Sequence, residues 1–307
     1  MSNDIALQKL GTAITRAASL QTYTTVRLLV DRDRVQDAYQ AYAYFRWVDD
    51  WLDEPRRQRS ERLAFARRQS ALIDACYRGD PVETCTMQEE MLVGLVQGDT
   101  EADSGLQSYI RNMMFVMTFD AERRGRLISA EELQRYEVSL ATAVTEALHF
   151  FIGHGCFSPH GPTRYLAVEG AHITHMLRDA VEDNELGYFN IPREFLRAKG
   201  ISPSDIESRA YRSWVRSRVQ LARRHFEAGR TYLSQVRSLR CRLAGYAYVA
   251  RFETVLDSIE RDGYVLRRDY SEAKSPRAGA GIGLSVLWSA FHHSPAAQSG
   301  AWSVRSS

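Results

Sequence analysis

The chain has 307 residues, 44% hydrophobic and 25% charged, with a net charge of +2: an ordinary globular balance, long enough for one large domain or two small ones. That balance gives no sign of the concentrated basic face that nucleic-acid binding needs, and no apolar run approaches the ~18 residues of a membrane span. Cys76, Cys85, Cys156 and Cys241 form no C-x-x-C pair, so neither a zinc site nor a disulfide framework is expected. The opening MSNDIALQKLGTAITRAAS lacks the charged-then-apolar pattern of a secretory leader, and a cytoplasmic protein is expected.

Apolar residues first recur at helical spacing over 34–54. Within AYQAYAYFRWVDDWLDEP (38–55), Tyr42, Arg46, Asp49, Asp50 and Asp53 share one face within about 80–100° of arc. Trp47, Val48, Trp51 and Leu52 make the rest apolar, and a helix apolar almost all round is normally buried. Burying three carboxylates costs several kcal/mol per ion unless cations meet them. The plainer alternative is a solvated helix end, with Asp49, Asp50 and Glu54 paired to Arg56 and Arg57.

Helical patterns follow over 57–78, 86–97, 105–125 and 129–153. Thr86-Met-Gln-Glu89 and Ser129-Ala-Glu-Glu132 have the capping-box form, in which hydroxyl and carboxylate satisfy each other's helix-end amides. Over 162–186, His172, His175, Asp179 and Asp183 share about 80° of arc, beside the apolar Ile173, Met176, Leu177 and Ala180 rather than across from them. A helix over 203–238 is expected from Ser202-Pro203, with proline at a first helical position, and another over 240–262. Strand alternation is scarce, so an all-α fold is expected, with one domain over 1–274. The small-residue-rich 275–307 reads as a loosely ordered tail. Its GAGIG has no preceding strand to make it a nucleotide loop, and its Leu284–Phe291 patch is expected to pack on the body, leaving at most peripheral membrane contact.

Two helices carrying Asp at i and i+4 present hard oxygen ligands suited to Mg²⁺ or Mn²⁺, whose shell substrate phosphates complete. A different chemistry uses Glu146-Ala-Leu-His149 and Glu169-Gly-Ala-His172. Two Glu-x-x-His pairs plus carboxylates from two more helices, Asp49 or Asp53 among them, describe a four-helix di-iron site. That alternative leaves Arg46 and Asp183 without a role.

FRWVDDWLDE resembles the first aspartate-rich motif of the squalene and phytoene synthases, and LRDAVEDNELGYFNIPREFL resembles their second. LISAEELQRYEVSLATAV is similar to their central helix, whose tyrosine corresponds to Tyr136, and RFETVLDSIERDGYVLRRDY to their C-terminal helix. The resemblance covers most of residues 19 to 270. It implies an isoprenoid synthase-type helical bundle with a central cavity. Asp49, Asp53, Asp179 and Asp183 would hold Mg²⁺ and the diphosphate of an allylic C10–C20 prenyl substrate, assisted by Asp50 and Glu182. Arg46 and Arg178 would bind phosphate, for which a guanidinium is a bidentate match. The diphosphate leaves, and the carbocation is held in an apolar, aromatic-lined pocket. Tyr42, Tyr136, Tyr188, Phe189 and Phe252 are candidates for its lining, and Tyr136 is also a candidate catalytic residue. Nothing suggests a nicotinamide site, so no NADPH is expected.

The chain departs from the family's pattern in four places. Gln and Asn before the second motif are His172 and His175. Gly-Arg-x-Tyr-x-Pro becomes Gly187-Tyr188-Phe189-Asn190-Ile191-Pro192, losing an Arg. Central-helix glycines are Thr142 and Thr145, and a C-terminal-helix Tyr is Phe252. The lost Arg weakens the case for a second diphosphate. Two imidazoles add candidate bases, and a base is what alkylation of an aromatic ring requires. The expectation is a prenyltransferase acting on an aromatic small-molecule acceptor, ahead of head-to-head condensation of two prenyl diphosphates. The plain alternative makes His172 and His175 hydrogen-bonding replacements for Gln and Asn. His149 and His225 read as structural.

Overall fold

A computed structural model of the chain describes residues 2–270. The expected tail, with GAGIG and Leu284–Phe291, lies outside them. Among the described residues there are eleven α-helices and no strand. They are α1 Ser2–Ala18, α2 Leu20–Leu29, α3 Val35–Asp53, α4 Arg59–Arg78, α5 Met87–Gly98 and α6 Gly105–Arg123, followed by α7 Ala130–Phe151, α8 Leu166–Leu186, α9 Arg193–Lys199, α10 Arg209–Gln235 and α11 Leu239–Arg261. No helix among the described residues is long and apolar enough to cross a membrane.

Three helices have no counterpart in the expected segments. α1 and α2 carry a narrow apolar stripe, with Leu7 buried against Ala43 and Met91, too thin to stand out as a helical period. α9 has only 7 residues. The helix expected to open at Pro203 begins instead at Arg209, where the Ser208 hydroxyl accepts from the Tyr211 amide. Residues 202–205 form a turn closed by the Asp205 carboxylate on the Ser202 amide at 2.7 Å. Ser129 and Glu132 form the expected capping box. Thr86 caps α5 by accepting from Glu89 N. The Glu89 carboxylate does not return to it, because it is buried and bound to Arg68, to Gln69 Nε2 at 2.8 Å and to the Cys85 amide at 2.7 Å.

Two apolar cores hold the bundle. One gathers Tyr44, Phe45, Val48, Leu92 and Ile110 from α3, α5 and α6. The other gathers Ile173, Leu177, Val215, Phe226, Val249 and Leu256 from α8, α10 and α11. Each such fully buried side chain contributes roughly 1.5–3 kcal/mol. Between them a smaller cluster, including Phe119, Tyr136 and Met176, joins α6, α7 and α8. α8 is seated flush on α10 through two glycines. A Cβ on Gly229 would meet Ala167 at 2.6 Å, and one on Gly170 would meet the Ala222 carbonyl and the Phe226 ring at 3.0 Å. α7 runs unbroken past Thr142 and Thr145.

Candidate active site

The two acidic helices face a common cavity of about 290 Å³. Asp49 and Asp53 enter it from α3, and Asp179 and Asp183 from α8, with Asp120 of α6 as a fifth carboxylate. Tyr136, His172, His175, Met176, Tyr188, Asn190 and Arg123 complete most of the wall. The chain returns to this wall after α8 because Gly187, at φ +86°, caps the helix in the left-handed region. The Tyr188 amide then donates to the Asp183 carbonyl at 2.7 Å. Tyr188 thereby reaches across to Asp53 with its hydroxyl at 3.4 Å. Asn190 donates to Asp183 at 2.7 Å and accepts from Arg123 at 2.7 Å.

Arg123 organises the inner wall. Its guanidinium donates to Asp120 at 2.5 Å and lies 4.7 Å from the Tyr136 ring and 5.2 Å from the Tyr188 ring. The other Asp120 oxygen accepts from the Tyr136 hydroxyl at 2.9 Å. Burial, followed by the Asp120 charge, raises the Tyr136 phenol well above its ordinary range, so it stays protonated.

The carboxylates crowd one another. Burial and then Asp53 push Asp49 up to about 6, against the pull of Arg46. Burial and then Asp179 push Asp183 up to about 6, against Arg123. Asp53 is raised by burial and by Asp120. Asp179 goes the other way: although burial works against it, a two-pronged Arg178 contact at 2.6 and 2.7 Å and His175 at 2.8 Å hold it well below the usual carboxylate range. Repelling, partly desolvated oxygens facing one cavity are the environment that a cation relieves.

The other expected residues lie outside the cavity lining. Arg46 turns to Asp50, with a contact to Asp49 at 3.5 Å, and Asp50 is exposed. The single face expected for these side chains is therefore split, because Asp50 points to water. Arg178 supports Asp179 from the side. Glu182 is exposed, and Tyr42 and Phe189 are half-buried. Phe252 belongs to the α8–α10–α11 core, its ring 6.3 Å from that of His175. The two histidines have different situations: His175 is half-exposed on Asp179, while His172 is buried with neither ring nitrogen hydrogen-bonded.

The di-iron alternative fails on geometry. Glu146 is held by Arg164 at 2.7 and 2.9 Å and by Tyr165 at 2.9 Å, while His149 Nε2 pairs with the Tyr232 hydroxyl at 2.8 Å. Glu169 faces His225 at 3.5 Å. No group of three or more His, Cys, Asp or Glu among the described residues converges to hold a metal by itself. His149 is structural, as expected, and it has a consequence for acid stability. Burial, with Arg164 nearby, depresses its imidazole to about 4. The unfolded chain binds a proton near 6.5 that the folded one refuses, so stability falls as pH drops from 6.5 toward 4. Replacing His149 by Gln is expected to shrink the loss of stability between pH 7 and pH 5 by about 1 kcal/mol or more, read from urea unfolding. An unchanged pH slope would contradict this.

Asp120, Arg123 and Asn190 did not emerge from the sequence. FDAERRGR reads as a solvated helix end, and the one available signal is that Asp120 continues the apolar stripe of Ile110, Met114 and Met117 at helical spacing.

The squalene/phytoene synthase family model matches residues 15–278. A presqualene diphosphate synthase of Rhodopseudomonas palustris is 29% identical over 189 residues, a match spanning 60% of this chain and 62% of that protein, under two thirds of its length. Among solved structures, the squalene synthase HpnC from Alicyclobacillus acidocaldarius superposes with a TM-score of 0.68 at 20% identity, over 85% of this chain and 96% of that one. A ligand-bound dehydrosqualene synthase superposes with a TM-score of 0.71 at 15% identity, over 92% and 96%. With both aspartate motifs on one cavity, the chain belongs to the squalene/phytoene synthase family and has an isoprenoid synthase-type all-α fold.

Proposed function

We propose that the enzyme joins two allylic prenyl diphosphates head to head and forms a cyclopropylcarbinyl diphosphate, in preference to alkylating an aromatic ring. The observation that carries this reading is Arg123. The aromatic expectation rested on an arginine missing after the second motif and on His172 and His175 as added candidate bases. A buried guanidinium from α6 stands beside that segment, bound to Asn190 within it and paired with Asp120, so the segment keeps an arginine at its side. The likeness to a presqualene diphosphate synthase supports the same reading.

Asp49 and Asp53 on one side and Asp179 and Asp183 on the other would hold Mg²⁺ or Mn²⁺. All are oxygen donors, and Mg²⁺ bound by one or two carboxylates keeps waters and takes phosphate oxygens, which suits a site without a closed ligand set. The bound ion supplies Lewis-acid stabilisation of the departing diphosphate. The chain's own part is to orient and exclude water. Tyr136, Tyr188 and Met176 offer a low-polarity wall that stabilises a cation without capturing it.

The test is incubation with farnesyl or geranylgeranyl diphosphate and Mg²⁺, without acceptor or reductant. The expected result is a C30 or C40 cyclopropyl diphosphate with one diphosphate released per two substrates consumed, abolished by chelator. No such product, together with prenylation of an added phenolic acceptor, would replace this reading with the aromatic one.

A further inference from the structure

We propose that His172 is the base that takes the proton lost when the cyclopropane ring closes, a role that rests on the head-to-head reading above. After the donor's C1 bonds to C2 of the acceptor, positive charge sits at the acceptor's C3. A C–H bond on the donor carbon then breaks and its electron pair forms the third ring bond. The proton passes to a ring nitrogen of His172, giving imidazolium, while the acceptor keeps its own diphosphate.

His172 is suited by what it lacks. It lines the cavity with only 6% exposure, and neither Nδ1 nor Nε2 has a hydrogen-bond partner. Unpartnered buried polar atoms are costly, and a group left in that state beside a cavity is available to whatever fills it. The rival bases are engaged. Tyr136, whose ring lies 5.1 Å from that of His172, donates its only proton to Asp120 and is held protonated. His175 is bound to Asp179, and the carboxylates belong to the diphosphate end. Burial, with His175, Arg123 and Arg218 nearby, depresses His172 well below its ordinary range. The imidazole therefore waits neutral, which suffices for so acidic a donor as a carbocation C–H, and the imidazolium readily discharges to solvent as product leaves.

The test measures cyclopropyl product and released diphosphate in parallel for wild type, His172→Gln and His172→Gly. Gln is of similar size but unable to hold a proton. The expected result for His172→Gln is product reduced by at least roughly tenfold while diphosphate release largely persists, the difference appearing as prenyl alcohols or dienes. Added imidazole should restore cyclopropyl product to His172→Gly. An unchanged product-to-diphosphate ratio in His172→Gln overturns the assignment, as does a parallel loss of both with no imidazole rescue. A wild-type enzyme forming no cyclopropyl or C30–C40 product overturns the head-to-head reading and this role with it, an outcome visible before any variant is made.

Discussion

Replacing Asp183 by Asn is expected to lower kcat/KM by on the order of 10²–10³, a loss of roughly 3–4 kcal/mol of transition-state stabilisation, while raising the melting temperature of the metal-free protein at pH 8. The two effects have one cause. Burial and Asp179 push the Asp183 carboxyl up to about 6, so the folded state holds this proton more tightly than the unfolded chain does. The stability this confers is complete below about 3.8 and is lost as pH rises through about 6. At pH 8 the full penalty applies, roughly 1–3 kcal/mol after allowance for solvent screening. The substituted amide carries no charge, and its oxygen still accepts from the Asn190 side chain. The thermal gain should therefore be a few degrees at pH 8 and should shrink toward pH 5. Melting curves with chelator present, at both pH values, check this; a lower melting temperature at pH 8 would sink the repulsion argument. Mg²⁺ with inorganic diphosphate should stabilise wild type more than the variant, because ligand binding draws on the charge that the metal-free fold resists.

Arg123→Met should be the most damaging single change in the wall. The guanidinium is buried, with 6% side-chain exposure, against an Asp120 carboxylate exposed by 28%. Removing one partner leaves a desolvated charge uncompensated, at about 3–5 kcal/mol, or roughly 6–20 °C in melting temperature. Asn190 also loses its donor, and Asp183 loses a favourable neighbour. The double variant Arg123→Met/Asp120→Leu should recover much of the loss, since it replaces the pair with apolar groups instead of stranding half of it. If the single and double variants melt together, the pair is not coupled and the account of this wall is wrong.

Periodicity made part of the site legible: Asp49 and Asp53, like Asp179 and Asp183, sit one helical turn apart, and on the largely apolar α3 the carboxylates conflict with burial; the placement of both pairs on one cavity followed from the resemblance to the squalene and phytoene synthases. What stayed hidden depends on pairing across elements. Arg123 lies among Glu122, Arg124 and Arg126, and nothing local separates the one that is buried from its half-buried neighbours. The two histidines looked alike because i, i+3 spacing gives them neighbouring directions. Only the packing of Tyr136 and Asp179 around them makes one dry and unpartnered and the other wet and bound. Asp50 lies one residue beyond Asp49 along α3, and that single step of rotation carries it to Arg46 and solvent. The helix start at Ser208 was missed because Ser202-Pro203 is an equally good local signal, which Asp205 diverts into a turn.

The glycine contacts between α8 and α10 make the acidic clamp mechanically lopsided. With Gly229 against Ala167 and Gly170 against the Ala222 carbonyl and the Phe226 ring, α8 has a rigid backstop and behaves as a fixed post. Asp53, at the other side, is the last residue of α3, followed by the turn that leads to α4. The Tyr188 hydroxyl, 3.4 Å from Asp53, ties that helix end to the segment following α8, so the two sides of the site meet through one side chain as well as through the carboxylates.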